Sequence, residues 1–530
     1  MDTKIINAKI IDGMNNPWYW GEVGIVADKI IAIGARGQLG AAQEIVDANG
    51  LVLAPGFIDI QSHSIVPLMR DGRCLGKIHQ GVTLEVMGEG WTPAPFGGLR
   101  SSPIPASYPV PESWQAQAKT WTRFRHWLEA LEGHISVNVA SFLAGGTLRE
   151  YVCGMKMGDA TAAELEQMKQ IMAQAMQDGA FGVTYALIYP PDTYSSTAEI
   201  IEICKVVAQY GGIYITHLRS EGDTFLEALD EAIQIGREAG LPVEIYHLKA
   251  SGQRNWHKMP LALEKIKQAR ASGVDITADM YPYLASGTGL DALLPTWVSA
   301  DGLFWQNLQN PQARATIRAE MLAGTGDMNS KPQQIMPVGF RLPENLAYVG
   351  LKLSQIAELR QQDWVETVLD LLLLERQRIG TIYFMMDEAN LRLQLEQPFV
   401  KISSDAGGHD PATALEAVHP RGYGTFPRVL GRYVREQGLL SLEAAVHKMT
   451  GLVAQRLSLS DRGRIALGAY ADLVLFDPDT MTDLATFEQP HQLAVGVQDV
   501  WVNGVRVVRN TVHTSALAGR FVRGNAIAYT

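Results

Sequence analysis

From about Ala160 onward the chain repeats one unit: a helical stretch, a glycine stop, then an apolar run that ends in polar residues. TAAELEQMKQIMAQAMQDGA leads into AFGVTYALIYPP, and STAEIIEICKVVAQYGG leads into IYITHLRS. TFLEALDEAIQIGREAG then precedes LPVEIYHLKASG, and LALEKIKQARASG precedes VDITADMYPY. VETVLDLLLLERQRIG with TIYFMMDE, and ANLRLQLEQP with FVKISSDAGG, keep the rhythm farther on. A helix, a Gly and a short apolar run, recurring about every thirty residues, specify βα units on a parallel sheet. Upstream, three further runs bring the strands with polar ends to eight: GFIDIQSH, TLEVMGEG, SVNVASFLAG, FGVTYALIY, IYITHLRS, VEIYHLKA, DITADMYPY and FVKISSDA. Eight favours an α/β fold closed as a (β/α)8, TIM-like barrel over an open doubly wound sheet. The absence of GxGxxG after an early strand also weakens a dinucleotide-binding reading.

Two regions break the rhythm. Residues 1–54 and 461–530 carry short strand-like runs such as KIINAKIID and ADLVLFDP, and read together as one small β-sandwich domain made from both chain ends. Residues 55–460 then form the barrel, with an insertion at about 288–363 after strand seven, too long for a simple loop. Long insertions at that face commonly act as lids or substrate-selecting elements.

A net charge of -11 argues against nucleic acid or an anionic membrane as partner. The longest apolar run, Leu369 to Leu374 in LDLLLL, is too short to span a bilayer, and the N-terminus lacks a signal-peptide core. Three scattered cysteines, Cys74, Cys153 and Cys204, suit a reducing cytoplasm. The expectation is a soluble cytoplasmic protein, with self-association left open.

In a (β/α)8 barrel the reacting groups stand at the C-terminal ends of the strands. Ionisable or hydroxyl groups there are His63, Glu85 or Glu89, His217, His247, Lys249, Asp279, Tyr283 and Asp405. His217 and His247 close successive strands at equivalent depth, and such imidazoles can converge on one zinc ion completed by a carboxylate or thiolate. Taken singly, each would more simply cap its strand by bonding to backbone. Asp405, followed by glycines, can take a proton from water and return it to a leaving amine. The alternative for it is a helix cap. His409 and Asp410 lie beyond the strand end, in a loop.

This order of His, His, His and Asp on strands one, five, six and eight resembles the amidohydrolase superfamily. Longer stretches resemble its D-aminoacylase (N-acyl-D-amino-acid deacylase) branch: PGFIDIQSHS, GVTLEVMGEG, GAFGVTYALIYPP, ITHLRSEGD, DMYPYLASGTGL, SSDAGGHD, HPRGYGTFPRVLGRYVRE and KMTGLVAQRLSLSDRGRIALGAYADLVLFDP. The resemblance implies metal ligation by His217 and His247 and general acid/base chemistry by Asp405. It further implies substrate contacts from Lys249, Tyr283 and Arg421, with Arg421 pairing a carboxylate in two-point fashion. Arg421 read alone could equally form an interdomain ion pair, Lys249 could be a strand-end charge, and Tyr189 and Tyr283 could be core aromatics.

The chain departs from the family pattern twice. Gln61 stands where the first of two strand-one histidines is usual, leaving His63 alone. At the end of strand two, GEGW puts Gly90 at the position of a metal-binding Cys, with Glu89 just before it. Glu89 is the natural replacement anion, and Glu85, four residues deeper, the fallback. The expectation is one tightly held Zn2+, on His217, His247 and Glu89, with His63 near a weakened second position. The activity implied is hydrolysis of small N-acyl-D-amino acids. Alternatives are opening of a cyclic amide such as a hydantoin or dihydroorotate, cleavage of an unusual dipeptide, and a non-catalytic ligand-binding barrel. Strand four, FGVTYALIY, has no lysine to carboxylate between two metals, which counts against the cyclic-amide reading.

Overall fold

The computed structural model describes residues 1–105, 108–324, 330–414 and 416–524. Eight strands line the barrel. They are Phe57–Asp59, Val82–Met87, Asn138–Ser141 continued by Leu143–Ala144, Gly182–Ala186, Ile213–His217, Val243–Ile245, Ile276–Met280 and Val400–Ile402. Neighbours pair in parallel, strand seven lying directly against strand eight through Ala278 and Val400. Every residue of these strands is buried, as expected where a parallel sheet is covered on both faces. The ring closes between strands eight and one by a single bridge, Ser62 to Ala406. The backbone bonds of Asp405 N–H to Gln61 O (2.9 Å) and His63 N–H to Ala406 O (3.1 Å) flank it.

The crossover helices follow their local signals. Ala162–Gln177 starts in a capping box of Thr161 and Glu164, Thr197–Gln209 starts under the Ser196 hydroxyl, and Phe225–Ala239 stops at left-handed Gly240. Strands from both chain ends join one continuous nine-stranded sheet with its own core around Ile10, Val23, Leu53, Leu473 and Trp501. Between strands seven and eight, Ser286–Gly289, Ile335–Pro337 and Gly380–Tyr383 make a separate antiparallel sheet. The TIYFMMDE run therefore follows the βα rhythm without entering the barrel, because strands seven and eight already pair with each other. Among the described residues no helix is long and apolar enough to cross a membrane.

Candidate active site and metal centre

The strand ends at one mouth of the barrel deliver the ionisable groups. His217 is the last residue of strand five, and His247 and Glu89 each lie two residues past strands six and two. All three are buried. The two imidazoles meet edge to face with ring centres 4.5 Å apart, and Glu89 Oε1 lies 3.4 Å from His247 Nε2. Glu89, His217 and His247 each bring one donor atom within 4.8 Å of the others. His63, Glu89 and Asp405 do the same, so the two trios share Glu89. His63 Nε2 is 2.9 Å from Asp405 Oδ1 and 3.3 Å from Glu89 Oε2.

The first trio fits a zinc ion. Two nitrogens and a carboxylate oxygen are the donor set of an open tetrahedral site with a fourth position for water or substrate. His217 Nδ1 lies 2.9 Å from Leu218 O, so Nδ1 carries the proton and Nε2 keeps its lone pair free. The surroundings also attract positive charge. Burial and Lys249 push the His247 imidazolium down, but Asp405 and Glu221 outweigh them and hold it up to about 9. Burial raises Glu89, yet its contacts with His247 and His63 keep it well below the usual carboxylate range. Asp405 is likewise raised by burial but held ionised, chiefly by Arg421, whose Nη1 lies 2.8 Å from Oδ2. His247 (φ +32°) and Asp405 (φ +50°) both adopt the left-handed region. For such residues this costs about 1–3 kcal/mol, which the surrounding structure must hold.

The two departures from the family pattern have defined geometry. Gln61 Nε2 donates to Glu89 Oε2 at 2.5 Å, so the amide that replaces a histidine holds the shared carboxylate. A Cβ on Gly90 (φ +77°) would meet nothing within 4 Å, so the usual thiolate position is open space beside the cavity. Glu85 belongs to neither trio. It is fully buried against Lys77 Nζ (2.9 Å) and the hydroxyls of Ser62 and Ser64.

A cavity of about 370 Å³ opens over the trios. Lys249, Tyr189 and Arg421 line it, and His409 borders it. Lys249 Nζ lies 2.5 Å from Glu221 Oε1 and 2.7 Å from His247 Nδ1. Burial raises the Tyr189 phenol, which bonds Thr288, so it remains a hydrogen-bond donor at any working pH. Arg421 Nη2 donates to Gly287 O, and its guanidinium lies 4.5 Å from the Tyr281 ring centre. The Tyr283 hydroxyl, expected to face substrate, donates to Asp483 (3.3 Å) beneath the Arg428 guanidinium. Asp410 pairs with Arg73 at 2.5 Å.

Sequence reading missed Glu221, Thr288 and Arg378. Glu221 sits four residues after His217 in THLRSEGD and reaches both histidines, Nε2 of His217 at 3.6 Å and Nδ1 of His247 at 3.1 Å; that spacing was the available signal. Thr288 and Arg378, joined at 2.5 Å on the cavity wall, lie ninety residues apart, and no local pattern connects them.

Comparison with known proteins agrees with this architecture. The family model described as "Amidohydrolase family" matches residues 44–320 and 403–508, more than half of the chain. The chain is 37% identical to a D-aminoacylase of Alcaligenes xylosoxydans xylosoxydans over 99% of its own length and 98% of the relative's. The chain belongs to the amidohydrolase family, in its D-aminoacylase branch. Two solved structures are similar to this amidohydrolase. One is a D-aminoacylase described for its binuclear metal centre, with one-metal activation and second-metal attenuation (34% identity, TM-score 0.81, covering 98% of this chain and 99% of that one). The other is the N-acyl-D-glutamate deacylase of Bordetella bronchiseptica, complexed with zinc and a phosphonate mimic of the tetrahedral intermediate (30% identity, TM-score 0.81, 99% of each chain).

Proposed function

We propose that this amidohydrolase hydrolyses the amide bond of N-acyl-D-amino acids, releasing a carboxylate and the free D-amino acid. The observation that carries the proposal is the buried Glu89, His217 and His247 set facing an ionised Asp405 across one cavity. Glu89, His217 and His247 would hold a zinc ion, which would supply Lewis acidity toward the acyl carbonyl and lower the pKa of water there. Asp405 takes the proton of the attacking water and delivers it to the departing nitrogen. Arg421 leaves its ion pair with Asp405 to grip the amino acid's carboxylate, while Lys249 and Tyr189 donate to the oxygens of the bound substrate. We further propose one tightly held ion. Gln61 turns its Nε2 donor, which has no lone pair for a metal, onto Glu89 Oε2, the oxygen facing the second trio. Three buried, unbridged cysteines favour a cytoplasmic site of action.

The test is a hydrolysis screen of paired D and L N-acyl amino acids with acidic, aromatic and aliphatic side chains, run with zinc-loaded protein. Turnover confined largely to the D series supports the proposal. Equal use of L substrates, or hydrolysis of cyclic amides alone, contradicts it.

A further inference from the structure

The barrel closes where the strand ends carrying His63 and Asp405 meet, yet among the described residues strands eight and one share a single bridge there. A buried lysine reinforces this weak seam. Lys77, on the short helix Leu75–Ile78 between strands one and two, is 0% exposed. Its Nζ lies 2.6 Å from Asp59 Oδ2, 2.9 Å from Glu85 Oε1, 2.8 Å from Ser404 Oγ and 2.7 Å from Ala406 O. An ammonium so deeply buried persists only when paired and hydrogen-bonded.

The partners of Lys77 flank His63 and Asp405. Ser404 and Ala406 are the chain neighbours of Asp405, and the Ser404 N–H donates to Asp59 Oδ1 at 2.9 Å. Ser62 and Ser64 are the chain neighbours of His63, and their hydroxyls donate to Glu85 Oε1 at 3.0 and 2.9 Å. The Gly408 N–H donates to Ser64 Oγ at 2.9 Å, tying the two strand ends once more. Asp405 itself stands in the left-handed region, a conformation that must be held by its surroundings.

We propose that Lys77, with Asp59, Glu85 and Ser404, is a positioning group that fixes Asp405 and His63 relative to each other from behind the barrel seam. The proposal rests on Asp405 acting as the general base. Lys77 touches neither cavity nor metal trio; it acts through the backbone on either side of Asp405, so its loss misaims the carboxylate without removing it.

The experiment compares zinc-loaded variants, with kcat and KM expressed per metal-loaded chain. Lys77→Met alone strands two buried carboxylates and is expected to fold poorly. The informative variants are therefore the uncharged triple Lys77→Met/Asp59→Asn/Glu85→Gln and the single Ser404→Ala. The expected result is kcat reduced about 30-fold or more in the first and about tenfold in the second, with KM within about threefold and zinc content unchanged. Ser404→Thr, which keeps the hydroxyl, is expected to restore most of the lost kcat. Parental kcat per loaded chain in the triple variant overturns the proposal. A parallel Asp405→Asn variant separates the two readings. If it is inactive while the uncharged triple variant is fully active, the positioning role alone falls; if it is fully active, the base assignment falls and takes the positioning role with it.

Discussion

Gln61→His is the perturbation that most directly probes how this chain differs from a two-metal site. In the parent, the second trio of His63, Glu89 and Asp405 is compromised on two sides: Gln61 holds Glu89 Oε2 at 2.5 Å, and Arg421 holds Asp405 Oδ2 at 2.8 Å. The substitution removes the first restraint and adds a nitrogen donor beside His63. Losing or gaining one supporting partner changes metal affinity by about 10–100-fold, so two such changes predict tighter second-ion binding by about 10²- to 10⁴-fold. Equilibrium dialysis against graded zinc, with metal measured per chain, reads this directly. The parent is expected to hold one ion and the variant two over the same zinc range. Because the second ion shares Asp405, turnover is expected to fall as it binds, to about one-eleventh at ten times its dissociation constant. A variant that still holds one ion, or that gains turnover with its second, refutes the argument that Gln61 withholds the shared carboxylate.

Three other outcomes follow from the same geometry. His217→Ala and His247→Ala are each expected to lose the tight ion, whereas Asp405→Asn keeps it and lowers kcat by about 10²- to 10⁴-fold, which metal analysis and steady-state kinetics separate. Tyr189→Phe is expected to lower kcat by about 10²-fold with little change in KM if its hydroxyl serves the developing oxyanion; a rise in KM alone would assign that hydroxyl to ground-state binding. His79, only 9% exposed, has its imidazolium pushed down to about 4, chiefly by burial. Its folded pKa lies below the unfolded value near 6.5, so its stabilising effect is complete above pH 6.5 and is lost as pH falls toward 4. The loss amounts to about 3 kcal/mol, and chemical denaturation of His79→Gln across that window should show a correspondingly flatter acid limb.

The parts of the fold that were legible in the sequence are those where local and global signals coincide. Each barrel strand is an apolar run buried on both faces, and helices such as Ala162–Gln177 and Phe225–Ala239 carry their own caps and glycine stops. His217, His247 and Asp405 stand out because they interrupt such runs at equivalent depth. Glu89 and Glu85 could be ranked by depth, but not why Glu85 is withdrawn: its partner Lys77 looks in LGKIHQG like any lysine on a helix surface. What makes Lys77 a buried cation is the meeting of Asp59, Glu85 and Ser404 from three strands, up to 327 residues away. Tyr283 illustrates the same limit, since Asp483, which accepts from its hydroxyl, lies 200 residues downstream. TIYFMMDE carries a correct strand signal, but which sheet it joins depends on strands seven and eight already being paired.

The central claim is that a single ion on Glu89, His217 and His247 suffices for N-acyl-D-amino-acid hydrolysis with Asp405 as base. Zinc titration of the chelator-stripped protein, with metal content and D-substrate turnover followed together, tests it most directly. The account predicts activity rising linearly to a plateau at one zinc per chain, with no gain from a second. Activity that needs two ions per chain, or that is undiminished with none, would contradict it.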